Sequence, residues 1–316
     1  MANKPIPVSA SATPSKKKTK SKIKKASSVK ATLAPVKAKP VVRALWPVKA
    51  VYPNAGALLP FKRIVAYYGN FYSKRMGVLG EYSETAMLNK LRQEIKNWEE
   101  ADPETSVIPG IDYIAVSAQG YSGTEGLYRF RMPDSQIDKA IELAEKVNGI
   151  VILDIQPGLS SVFKEVKYFE KYLKTSKVHL ALDPEFNMRK GIRPGKVIGS
   201  LDASEINQVA EYLADLVKEN NLTPKVLIIH RFTNKMVTNY KLIKPLPEVQ
   251  IVMDMDGWGF PAKKINTHRQ VIYSEPVQFT GFKLFYKNDR RTPNSRMMTP
   301  LEVLKLRPQP SFIQYQ

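Results

Sequence analysis

Four short apolar runs in this chain each stop on a carboxylate or an imidazole. Ile150 to Leu153 precede Asp154, Val178 to Leu182 precede Asp183, Val226 to Ile229 precede His230, and Ile251 to Met253 precede Asp254. Amphipathic stretches of helical length lie between them. Runs of this kind read as parallel strands covered by helices on both faces. The pattern predicts seven strands, at 63–68, 111–117, 150–154, 178–183, 225–230, 249–254 and 280–286.

Apolar residues recur at helical spacing in the intervals. Met87, Leu88, Leu91, Ile95 and Trp98 follow Ser83, a suitable N-cap, and Ile137, Ala140, Ile141 and Ala144 follow Asp134, which is expected to cap its helix. Helices are also expected after Ser160 and after Asp202. A last one starts at Thr299-Pro300, with Glu302 in its first turn.

Seven strands alternating with helices form a βα repeat, leaving two architectures: an open doubly wound sheet or a (β/α)8 barrel with one irregular strand. The phosphate-binding fingerprint of a dinucleotide fold is missing after the first strand, where only Gly69 and Gly77 occur. Polar residues recur at the carboxyl end of nearly every strand, which fits a closed ring better than one switch point. The fold class expected is therefore α/β, a TIM-like barrel over residues 55–316.

Charge divides the chain. Of 49 Lys plus Arg and 29 Asp plus Glu, 17 basic residues and no acid precede Glu81, leaving a nearly neutral remainder of 32 basic against 29 acidic. Residues 1–54, rich in Lys, Ala and Pro, are expected to form a disordered basic tail, since they offer too little apolar surface to offset the entropy of ordering. Such a tail is a spacer, or a tether to an anionic polymer such as cell wall or nucleic acid. Residues 41–60 are apolar enough to pack onto the barrel. No run resembles an export signal or approaches the length of a membrane span, so a cytoplasmic location is the default expectation. The chain has no cysteine, which excludes disulfides and thiolate metal sites.

The strand ends carry the candidate chemistry. Asp183-Pro184-Glu185 sets two carboxylates on one side of a strand end, and mutual repulsion raises the pKa of one toward that of a general acid. Alternatively, Asp183 caps amides of its own turn. Asp154 and Gln156 share a face at the third strand end, and Asp254 and Asp256 repeat the spacing before Gly257-Trp258-Gly259, where Trp258 offers a stacking platform. His230 is either a hydrogen-bonded structural residue or part of the site. Tyr67, Tyr68, Gln119, Tyr286 and Lys287 complete the expected rim. The three histidines form no metal-like pair, and no Walker loop or nucleophile elbow occurs, so neither a metal nor another cofactor is expected.

Taken together, Tyr67-Tyr68-Gly69, Gly77 to Glu81, Leu153 to Gly158, Leu180 to Phe186, Ile198-Gly199-Ser200, His230-Arg231-Phe232 and Met253 to Gly259 resemble a family of largely uncharacterised bacterial barrel proteins, many of them exported. More remotely, Asp183-x-Glu185 is similar to the acidic pair of chitinase-like and lysozyme-like barrel glycosidases. That resemblance implies Glu185 as proton donor, Asp183 as its supporter and Asp254 or Asp256 as the sixth-strand carboxylate. The longer acidic series of chitinases is absent, since Val178 stands in the place of its first acid. Two functional classes follow: a glycoside hydrolase acting on a polysaccharide, or a non-catalytic glycan-binding barrel.

Overall fold

The computed structural model describes Pro47, residues 50–189 and residues 191–316. Most of the tail expectation therefore falls outside the described residues. Eight strands run in parallel: β1 (Lys62–Gly69), β2 (Ser106–Ala118), β3 (Ile150–Ile155), β4 (Val178–Leu182), β5 (Lys225–Arg231), β6 (Val249–Met255), β7 (Phe279–Leu284) and β8 (Phe312–Tyr315). Each pairs with the next, and β8 pairs with β1, with Ile64 opposite Phe312 and Tyr67 opposite Tyr315. The sheet is a closed (β/α)8 barrel. A short antiparallel strand, Arg129–Arg131, extends the sheet beyond β2.

Alternate residues of each strand point into the cylinder. Ile64, Ala66, Ile152, Ala181, Ile228, Val252 and Phe312 form part of that inner core, and a larger apolar layer lies between strands and helices. The outer layer includes α1 (Glu84–Ala101), α2 (Asp134–Glu145), α3 (Val162–Tyr168), α4 (Ala203–Glu219), α5 (Pro261–Thr267) and α6 (Pro300–Val303). Asp202 with Glu205, and Thr299 with Glu302, form capping boxes where the sequence places helix starts. Asp134 differs: Pro133 occupies the cap position and Asp134 is the first helical residue, its carboxylate taken by Lys171.

The amino-terminal mouth is closed by the chain that leads into β1. Leu59 is fully buried against the inner core, and the Leu58 and Leu59 amides donate to Gln250 Oε1 at 2.9 and 3.1 Å. The Gln250 amide nitrogen in turn donates to the Leu59 carbonyl. Of the expected 41–60 packing, Val41, Val42, Leu45 and Trp46 lie outside the described residues, Leu58 and Leu59 pack onto the inner core, and Val51 and Tyr52 are exposed.

Candidate functional site

At the carboxyl mouth, the strand ends converge on a layer of buried charge. His230, the penultimate residue of β5, donates through Nε2 to Asp154 Oδ2 of β3 at 2.8 Å. Its Nδ1 stands 3.3 Å from Asp254 Oδ2 and 3.5 Å from Asp256 Oδ2. Burial alone would lower the His230 pKa, but Asp154, Asp254 and Asp256 together raise it well above the ordinary imidazole value. The ring is therefore a buried imidazolium held among three acids.

Lys283 of β7 adds a second buried cation. Its Nζ lies 3.1 Å from Asp256 Oδ1 and 3.8 Å from the centre of the Tyr68 ring. On the other side, Gln314 of β8 donates to Asp112 Oδ2 of β2 at 2.5 Å. Burial, reinforced by the Asp154 charge, pushes the Asp112 carboxyl up to about 8. Among the described residues, Asp112 Oδ1, Asp154 Oδ1, Asp254 Oδ1 and Gln314 Oε1 are buried without a hydrogen-bond partner. So many unpaired oxygens in one layer are unusual for a fold optimised only for stability. Gly281 makes room for this layer, because a Cβ there would sit 2.5 Å from Asp254 Oδ1 and 2.9 Å from the Phe312 ring.

Above the layer opens a cleft of about 540 Å³, whose lining includes Tyr68, Gln156, Asp183, Glu185, Asp256, Trp258 and Lys283. Gln156 donates to the Tyr68 hydroxyl at 3.2 Å and accepts from the Ala118 amide, so its orientation is fixed. Asp183 follows β4, and its Oδ1 accepts from the Glu185 amide at 3.0 Å, capping a short 3₁₀ turn, Pro184–Phe186. Its carboxyl is raised well above the ordinary range by burial, with Asp154 and Glu185 adding to the effect against His230. The turn projects Glu185 into the cleft, where burial first and Asp256 second raise its pKa.

The structure thus brings Tyr68, Gln156, Asp183, Glu185, Asp256 and Trp258 together at one opening, with Asp154, His230 and Asp254 beneath. Tyr67 faces outward, its hydroxyl 2.9 Å from that of Tyr286. Tyr286 and Lys287 border a separate, smaller depression, and Lys287 pairs with Glu81 at 2.7 Å. The Gln119 side chain donates to the Ser117 carbonyl, away from the cleft lining. Asp112, Lys283 and Gln314 are site residues that the strand-end pattern overlooks. Each lies inside a mainly apolar strand and in phase with its inward face, which is the signal that marks them.

Among the described residues, no group of three or more His, Asp or Glu side chains has the geometry to hold a metal ion, and no helix is long and apolar enough to cross a membrane. No family model and no curated protein matches the chain. Solved structures with some likeness include the alkaline cellulase K catalytic domain, 12% identical over 82% of this chain and 74% of that one, with a TM-score of 0.41. A GH5-4 broad-specificity endoglucanase from an uncultured bovine rumen ciliate is 10% identical over 65% and 72%, with a TM-score of 0.35. GH26C from Muricauda sp. MAR_2010_75 is 9% identical over 84% and 75%, with a TM-score of 0.34. The barrel assignment rests on the strand register and not on these likenesses.

Proposed function

We propose that the cleft is that of a glycoside hydrolase acting on a polysaccharide, with Glu185 as general acid and Asp256 as the second carboxylate. The observation that carries this reading is that Glu185 and Asp256, from the ends of β4 and β6, line one cleft. Burial first and the nearby Asp256 second raise the Glu185 pKa above the ordinary carboxylate value, the direction a general acid needs. It protonates the leaving oxygen of a bound glycoside. Asp256, anchored by Lys283, supplies negative charge toward the sugar as its anomeric carbon becomes cationic, and acts as nucleophile or base. His230, held by Asp154 and flanked by Asp254, is a positioning residue that faces Asp256 from below. Trp258, 41% exposed, offers a face for a sugar ring. The motif set shared with exported bacterial barrels belongs to the same reading, with cell-wall polysaccharide as a candidate substrate. Release of reducing ends from a polysaccharide panel tests it: the Glu185→Gln variant is expected to lose almost all turnover, and turnover near the wild-type rate would reject the assignment.

A second reading is a glycan-binding barrel without turnover. It draws on Asp183, whose Oδ1 is engaged by the Glu185 amide, and on Asp256, already paired with Lys283. Wild-type protein that binds glycans yet releases no reducing ends would favour it. In this reading residues 1–54 tether the barrel to an anionic polymer or nucleic acid. Binding to such a polymer should then be salt-sensitive and lost on deletion of residues 1–50.

A further inference from the structure

The lysines of α5 divide between two tasks. Lys264 is buried, donates to the Lys283 carbonyl and pairs with Asp289 at 2.9 Å. Lys263, one residue earlier, lines the cleft instead. Its stem is seated against Gly259, where a Cβ would lie 2.7 Å from Lys263 Cδ. Its Nζ stands 4.4 Å from the centre of the Trp258 ring, and the Arg291 guanidinium carbon stands 5.7 Å from that same centre. Arg75, on the loop after β1, also lines the cleft.

Among the described residues, none of these three cations has a carboxylate within ion-pair distance. Elsewhere at this mouth cations are matched: Lys264 by Asp289, Lys283 by Asp256 and Lys287 by Glu81. Gathering Lys263 and Arg291 at one indole, with no acid between them, sets like charges near each other. That arrangement favours an incoming anion. The floor keeps Asp256, whose carboxylate is already paired with Lys283, so the unmatched positive charge lies along the wall and an anionic group is accepted there and not at the point of cleavage. A half-exposed indole flanked by cations suits a ring with an apolar face and a carboxylate at its edge.

We propose that Trp258 and Lys263, with Arg291 beside the indole and Arg75 elsewhere on the cleft lining, recognise an acidic polysaccharide whose sugar rings carry carboxylates. This rests on the reading of the cleft as a glycan site and specifies the substrate class that it takes.

The test uses the full chain and calorimetric titration with oligogalacturonates, alginate fragments and hyaluronan fragments. Each is set beside its carboxyl-reduced, neutral counterpart, with dextran sulfate as a polyanion of different chemistry. Wild type and the Glu185→Gln variant should bind at least one of the uronates and none of the neutral counterparts. Combined Lys263→Gln and Arg75→Gln replacement should weaken that binding about tenfold or more, and Lys263→Arg in place of Lys263→Gln should restore most of it. Failure of every uronate to bind overturns the proposal, as does equal affinity for the reduced counterparts. Binding unchanged by the double replacement would place the polyanion on the basic tail and equally overturn it. Dextran sulfate bound as tightly as the uronate overturns the carboxylate assignment. Hydrolysis of a neutral glycan alone sinks this proposal and leaves the hydrolase reading intact. Uronate binding that depends on Lys263, with no hydrolysis of any glycan, does the reverse.

Discussion

The two mouths of this barrel are built from the same strands and meet opposite requirements. At the amino-terminal mouth, Gln250, Lys225 and His179 are committed to the backbone. Gln250 is bonded to Leu58 and Leu59, Lys225 donates to the Thr175 and Val178 carbonyls, and His179 Nδ1 accepts the Val226 amide at 3.0 Å. At the carboxyl mouth, four buried aspartates surround one imidazolium and one ammonium, and several carboxylate oxygens have no donor. One end is organised to hold the cylinder shut, the other to keep charge in reserve at a surface that a ligand reaches. The division matches the general separation of stability and chemistry between the faces of such barrels.

Substitutions that separate the two ends should have effects of very different kind. The largest is expected from Glu185→Gln, a loss of roughly 10²–10⁴-fold in turnover with little change in stability. It is read by reducing-end release beside a denaturant melt. His230→Ala breaches the division, because it removes the cation shared by Asp154, Asp254 and Asp256. A cost of about 3–5 kcal/mol in unfolding free energy should accompany loss of activity, and an unaltered melt would show that the acids do not depend on the ring. Leu59→Ala, at the closed end, should cost about 2–5 kcal/mol and leave kcat unchanged in whatever protein remains folded.

The last effect concerns pH, where the ends respond in opposite directions. Asp112 has its pKa raised from 3.8 to about 8, chiefly by burial, so the folded state keeps a proton that the unfolded state releases. Its contribution to stability is complete below about pH 4 and is lost as pH rises toward 8. His179 has its pKa lowered from 6.5 to about 3 by burial and by Lys225. Its contribution is present above about pH 6.5 and is lost as pH falls toward 3. Asp112→Asn should flatten the alkaline side of the stability profile, and His179→Asn the acid side. A profile unmoved by either change would remove these groups from the linkage.

Much of this arrangement is legible in the chain, for identifiable reasons. The runs ending at Asp154, Asp183, His230 and Asp254 are apolar and bounded, and all four are barrel strands with those residues at the carboxyl mouth. The eighth strand, Phe312–Tyr315, is not announced, because four residues behind Pro308 and Pro310 give no measurable period. Alternation decides what proximity in sequence cannot. Tyr67 and Tyr68 are neighbours on one strand and so face opposite sides, and only Tyr68 reaches the cleft. Whether Asp183 serves its own turn or the pocket depends on a backbone angle after β4, and it serves the turn with one oxygen while lining the cleft.

The seam between β1 and β8 joins segments separated by nearly the whole barrel. Pairing across that distance is entropically the most demanding of the eight contacts, and β8 is the last of the strands to leave the ribosome. Until it docks, β1 and β7 present open edges of the kind that recruit other chains. The same docking event carries Gln314 to Asp112, so closure of the cylinder and completion of its charged floor are a single step. Growing chains that pause before Phe312 are therefore expected to be both sticky and without a finished site.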